Sequence, residues 1–123
     1  MRSDIQRIGD ILTAMSRIED VYALGIDEFE TSKMMQESLI LNFQILGEAA
    51  NGVSDELQAL HPEVAWADMV GFRNVLIHRY WEIVLNKVWD GAEIFIPEQK
   101  PLIEAVMAQL GLSDKGNPAD GEE

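Results

Sequence analysis

The chain contains no cysteine, which excludes a disulfide framework, a thiolate zinc site and a cysteine nucleophile. No stretch approaches the ~18 consecutive apolar residues of a membrane span. There is also no glycine-rich phosphate loop, no internal repeat, and no alternating apolar and polar run bounded by hairpin signals. The opening residues Met1-Arg2-Ser3-Asp4-Ile5-Gln6 are polar and carry no signal h-region, so a soluble, cytoplasmic protein is expected. Positive charge is scarce: nine Lys+Arg stand against 22 Asp+Glu, a formal charge of −13. Affinity for a polyanion comes largely from Lys and Arg displacing counterions. The balance therefore argues against a generic nucleic-acid binder, and any such role must be local.

What is present describes an ordinary helical domain. At 123 residues, a single chain buries roughly two-thirds of its unfolded surface, enough for a core without staples. An apolar content of 47% excludes disorder for the body of the chain. The last eleven residues, 113–123, hold four acids and one base, and removing their −3 leaves −10 on residues 1–112. The expected organisation is one helical domain over residues 1–112 followed by an acidic, disordered tail over 113–123, with the remaining acidity serving solubility.

Residues 4–24 read as an amphipathic helix with Ile5, Ile8, Leu12, Met15 and Tyr22 on its apolar side. Ser3 and Gln6 have capping-box spacing, and Gly25 is a natural stop. A second helix is expected from near Thr31 to Asn51-Gly52, with Phe29 stapled to Met34 or Met35 at its entry. Apolar residues on more than one side make it a central, well-covered helix. Ser54 or Asp55 caps a short helix ending before His61-Pro62. The pattern resumes from Trp66 into Tyr80-Trp81, and a last helical region spans Asn86 to Leu110. Pro97 and Pro101 predict a kink there, or two helices rather than one rod. The fold class expected is all-α, an antiparallel bundle of four to five helices.

The chemistry-bearing stretch is Gly71-Phe72-Arg73-Asn74-Val75-Leu76-Ile77-His78-Arg79-Tyr80-Trp81. Between Trp66 and Asp90, Asp68, Glu82 and Asp90 are balanced by Arg73, Arg79 and Lys87, so this is a long neutral stretch in an acidic chain. If the chain touches phosphate, it is expected to do so here, through Arg73, Arg79 and Lys87. A permanently charged guanidinium and an imidazole titrating near neutrality are the groups metal-free phosphodiester cleavage needs, and Arg73 and His78 supply them. Asn74 lies about 40° from His78 on a straight helix and can orient the ring or hold a phosphate oxygen. Arg73 and His78 lie roughly 140° apart on such a helix. A long Arg side chain, a distorted turn or the second copy in a symmetric dimer must close that gap, and the dimer is the favoured answer.

Taken singly, a histidine and an arginine beside an apolar run are more often a satisfied boundary histidine and a surface cation. His61, in a loop beside Pro62, is read as structural. Trp66, Trp81 and Trp89 are read as core or interface anchors. The carboxylate pairs Asp27-Glu28 and Asp55-Glu56 have no partner histidines at useful spacing, so neither a metal site nor a cofactor is expected.

Arg73-x4-His78-x-Tyr80 resembles the R-x4-H-x-Y signature of the HepT-like branch of the HEPN superfamily, the toxin half of a toxin-antitoxin pair. The resemblance also rests on Ser16-Arg17-Ile18-Glu19, on Asn42-x-x-Ile45-x-Gly47-Glu48-Ala49-Ala50, on His61-Pro62-Glu63 with Trp66, and on Val88-Trp89, and it covers roughly residues 4–108. It implies a HEPN-like bundle that forms a homodimer or higher even oligomer through the motif helix. It also implies a metal-independent endoribonuclease in which Arg73 binds the scissile phosphate, His78 is the general acid/base, Asn74 supports both and the ribose 2′-OH attacks. The implied partner is a nucleotidyltransferase antitoxin that transfers AMP onto Tyr80. On a helix Arg73 and Tyr80 would be nearly eclipsed, so phosphate on Tyr80 would compete with RNA for Arg73.

Two departures stand out. Trp81-Glu82-Ile83-Val84 replaces a turn of glycine and aspartate found in many relatives, which predicts a lengthened motif helix. Leu41 stands where relatives often carry a base, removing one phosphate contact. Two other readings are a dimeric binding partner of a nucleotidyltransferase with little nuclease activity, and a nucleotide or small-anion binder using Arg73, Arg79 and Lys87.

Overall fold

The computed structural model describes residues 2–75 and 80–115, with side chains to Leu112. His78 and Arg79, and the tail from residue 116, lie outside the described residues. Among the described residues the chain is all-α, with seven α-helices, one π-helical turn and no strand. They are α1 (Asp4–Ala23), α2 (Ile26–Thr31), α3 (Lys33–Gly52), α4 (Asp55–Leu60), α5 (Trp66–Val75), α6 (Trp81–Asp90), the π turn (Gly91–Phe95) and α7 (Ile96–Lys115). No described helix is long and apolar enough to cross a membrane.

Local signals set the helix ends. The Ser3 hydroxyl accepts from the Gln6 amide, and the Gln6 side chain accepts from the Ser3 amide at 2.9 Å, forming the expected capping box. Gly25, at φ 95°, occupies a backbone region that a side chain would resist, and it ends α1. The face of α1 that is fully buried is Ile8, Ile11, Met15 and Ile18. Ile5, Leu12 and Tyr22 are only half-buried, so the helix is rotated from the expected stripe toward Ile11 and Ile18.

α3 begins close to Thr31, as expected: Ser32 is its N-cap, its hydroxyl accepting from the Met35 amide at 3.2 Å. Thr31 instead ends the unexpected short α2, whose side Phe29 buries. Of the two methionines expected to pack at the entry, Met34 is 81% exposed and staples nothing, while Met35 is half-buried against the core that includes Phe29. The entry is held by Gln36, nine-tenths buried, whose amide donates to the carbonyls of Phe29 and Glu30 at 2.8 and 3.2 Å. These are carbonyls that the C-terminus of α2 leaves without helical partners.

The central role expected of α3 is met: it packs against α1, α2, α5 and α6, while α1 also packs on α7. The break expected at the prolines falls upstream of both. The π turn ends one residue before α7, with the Ile96 amide bonded to the Gly91 carbonyl. Glu93, the residue whose carbonyl an α-helical Pro97 would meet, lies inside that turn, and the wider π register relieves the conflict. Pro97 then sits in the first turn of α7 and Pro101 inside it.

Ser54 caps α4 through the Leu57 amide at 3.2 Å. It also ties α4 to the start of α1, donating from its backbone and hydroxyl to the Asp4 carboxylate at 2.9 and 2.6 Å. Ser54→Ala is expected to lower stability by about 1–2 kcal/mol, and a double-mutant cycle with Asp4→Asn in urea unfolding should show coupling. Strict additivity would mean that the two residues do not interact in solution.

Candidate functional site

Arg73 and Asn74 are adjacent exposed residues in the last turn of α5. Arg73 is placed by a glycine. A Cβ built on Gly47 of α3 would stand 2.7 Å from the Arg73 Cγ and 3.0 Å from the Met69 carbonyl oxygen. The aliphatic stem of Arg73 thus crosses α3 where α3 has no side chain, leaving the guanidinium at the surface. A glycine inside a helix costs roughly 1 kcal/mol against alanine, so Gly47 in an otherwise strong helical segment is a sequence signal of close backbone approach. Its partner could not be named from sequence, because Arg73 is distant along the chain.

Tyr80 is 69% exposed and lies on extended backbone, φ −93° and ψ 109°. It is the N-cap of α6, and its carbonyl accepts from the Ile83 and Val84 amides. Two expectations are corrected here. Arg73 and Tyr80 are not eclipsed on one helix, because the backbone leaves helical geometry at Tyr80. Trp81-Glu82-Ile83-Val84 does not lengthen the motif helix either; it begins a new one. Trp81, 47% exposed, is tied back to α3 by its indole N–H, which donates to the Gln36 side chain at 3.3 Å. Arg73 thus meets α3 at Gly47 and Trp81 meets it at Gln36.

Lys87 is exposed on α6 and borders a hollow with Phe72, Val75 and Phe95. Phe72 fills the space between α3, α5 and the π turn, its ring 4.4 Å from that of Phe43 and 5.3 Å from that of Phe95. Arg73 leans on α3 at Gly47, while Lys87 borders the hollow that Phe72 and Val75 of α5 line. The geometry that would relate Asn74 to His78 involves residues outside the described part.

The remaining candidates behave as structural groups. His61 is buried, ends α4, and approaches the Glu63 carboxylate at 3.2 Å. Its carbonyl accepts from the Trp66 indole N–H at 2.9 Å. Glu63's carboxyl is held below the usual carboxylate range, first by its own backbone N–H and then by His61. Trp66 is buried, and Trp89 packs between Tyr22 and Phe29 with ring centres 4.9 and 4.8 Å apart. Among the described residues no group of three or more His, Asp or Glu is arranged to hold a metal.

Known proteins resemble this chain along most of its length. The family model described as "Ribonuclease HepT-like" matches residues 11–106. A Methanocaldococcus jannaschii protein described as a "Putative RNase" is 34% identical over 98 residues, which is 79% of this chain and 90% of that protein. A "Probable ribonuclease HepT" of Thermococcus cleftensis is 30% identical over 104 residues, 84% of this chain and 94% of that one. A "Putative RNase" of Caldanaerobacter subterraneus subsp. tengcongensis is 24% identical over 90 residues, 73% and 80% of the two chains. No solved structure matches significantly.

Gly47→Ala tests the close approach. Helix propensity alone would stabilise it by about 1 kcal/mol, but the Met69 carbonyl is backbone and cannot rotate away. A net loss of about 1–3 kcal/mol in urea unfolding is expected; a gain would show that the space exists and that Arg73 is not placed this way.

Proposed function

Because the chain belongs to the ribonuclease HepT-like family, we propose that it is the RNA-cleaving toxin of a toxin-antitoxin pair, acting as a dimer and without a metal ion. The observation that carries this reading is Arg73: an exposed guanidinium whose stem is seated on Gly47 and whose neighbour is the exposed amide of Asn74. A fixed, permanently charged group of this kind is suited to a phosphate whose negative charge grows in the transition state. The ribose 2′-oxygen attacks phosphorus and loses its proton, while the 5′-oxygen leaves and takes one up. His78 moves these protons as general acid/base, Arg73 binds the non-bridging oxygens, and Asn74 supports them. Arg79 and Lys87 supply outlying phosphate contacts. A second copy would bring a second set of Arg73, Arg79 and Lys87 to the same RNA.

A metal-free assay tests this. RNA incubated with the protein in EDTA is expected to be cleaved, with His78→Ala slower by ~10²–10⁴-fold and Arg73→Ala by ~10²–10³-fold. Cleavage equal in wild type and His78→Ala, or cleavage that EDTA abolishes, would overturn the reading.

A second reading is favoured by the exposure of Tyr80: a dimer with little nuclease activity that serves as binding partner and modification substrate of a nucleotidyltransferase antitoxin. The phenol oxygen would attack the α-phosphorus of ATP, losing its proton and expelling pyrophosphate. The resulting phosphodiester adds a negative charge beside the motif and repels RNA. Mass spectrometry of the chain co-produced with such a partner is expected to find AMP on Tyr80 and none on a Tyr80→Phe variant. An unmodified Tyr80 would remove this reading.

A further inference from the structure

Away from Arg73, a groove of about 540 Å³ runs between α2 and α6. Its α6 wall is one continuous helix face: Glu82, Leu85, Asn86, Trp89 and Asp90 recur at the three- and four-residue spacings that place side chains above one another. Across from them stand Ile26, Phe29 and Glu30 of α2. The floor is apolar and partly aromatic, because Trp89 and Phe29 pack on each other there. The rim is acidic: Glu30, Glu82 and Asp90 border the groove, and none of the three takes part in an ion pair among the described residues. Ile26 remains 41% exposed at its mouth.

We infer that this groove docks a basic amphipathic segment of a partner protein. The charges choose among occupants. RNA is repelled by three unpaired carboxylates at close range, and a second copy has few cations to pair with them, with nine Lys+Arg against 22 Asp+Glu. A segment with aliphatic residues on one side and Arg or Lys beside them satisfies both features: its apolar side covers Leu85 and Ile26, and its cations meet the carboxylates or lie against the Trp89 ring. The α6 wall starts two residues after Tyr80, so a partner seated there also reaches the motif. That last link rests on the antitoxin reading above; the docking itself does not.

The probe is a fluorescent amphipathic helical peptide of Leu, Arg and Lys, titrated into the full chain by anisotropy. Glu30→Gln/Glu82→Gln/Asp90→Asn is expected to weaken binding by about tenfold or more. The control Glu37→Gln/Glu56→Gln/Glu104→Gln, which removes the same charge from exposed positions elsewhere, should change it by less than about twofold. Ile26→Arg, which places a cation in the mouth, should also abolish binding. Equal weakening by the two triple variants would mean diffuse attraction only and would overturn the inference. So would equal affinity for a scrambled peptide of the same composition, or displacement of the peptide by single-stranded RNA in Arg73→Ala. Because the assay reads neither RNA cleavage nor Tyr80, its failure would leave the ribonuclease reading standing, and the converse also holds.

Discussion

The closeness of α3 to its neighbours is the constraint on which the rest of this molecule depends. At Gly47 the Met69 carbonyl stands 3.0 Å from where a Cβ would be, and at Gly91 the Phe43 and Phe72 rings stand within 3.0 Å of one. Side chains at either position would push α5 or the π turn outward. Each contact also has a chemical result: the first lays the Arg73 stem across α3, and the second lets Phe72 close the space behind Val75, the last described residue of α5. Arg73 and Asn74 are therefore displayed in the last turn of a helix whose approach to the core depends on two glycines. Glycine in a helix is unfavourable in isolation; here it is what allows the core to close at native density.

The caps were legible because their signals are local. Ser3 with Gln6, Gly25 and Ser54 act within one turn, and their partners lie within three residues or so. The short α2 was not legible, because its stabilisation comes from Gln36 reaching back to Phe29 and Glu30 and from the burial of Phe29, neither of which leaves a periodic trace. The rotation of α1 was ambiguous for a different reason. Apolar residues fill two adjoining stripes, one through Ile5 and Leu12 and one through Ile11 and Ile18, and only the position of α3 decides which is covered. The prolines show a local rule transmitted along the helix: Pro97 does disrupt α-helical bonding, but the disturbance is absorbed upstream as one π turn rather than as a break at the proline.

The candidate site divides in the same way. Residue types were readable at Arg73, Asn74 and Tyr80, since a guanidinium, an amide and a phenol close together in a neutral stretch of an acidic chain are conspicuous in any fold. Their relative placement was not. Helical periodicity carried from Arg73 to Tyr80 fails because the backbone becomes extended at Tyr80, and the Trp81 indole bonded to Gln36 starts the next helix from there. Gly47 and Gln36 matter to the site through contacts with residues far away in sequence, which composition and spacing do not encode.

Charge supplies the remaining step. At −13 the chain repels a polyanion over most of its surface, and the charge along α6 changes over a short distance. Trp81 and Lys87 lie on the same helix as Glu82 and Asp90, yet Lys87 faces the α5 hollow while Glu82 and Asp90 border the α2 groove. Asp90 reaches the hollow as well, so even the side holding Lys87 is not strongly basic. A partial rotation about the α6 axis thus separates the hollow that Lys87 borders from the acidic groove facing α2. Long-range attraction of a polyanion is weak in such a molecule. On the function proposed above, affinity would come from short contacts at Arg73 and its neighbours, which makes the support of the Arg73 stem by Gly47 more consequential than it would be on a basic domain.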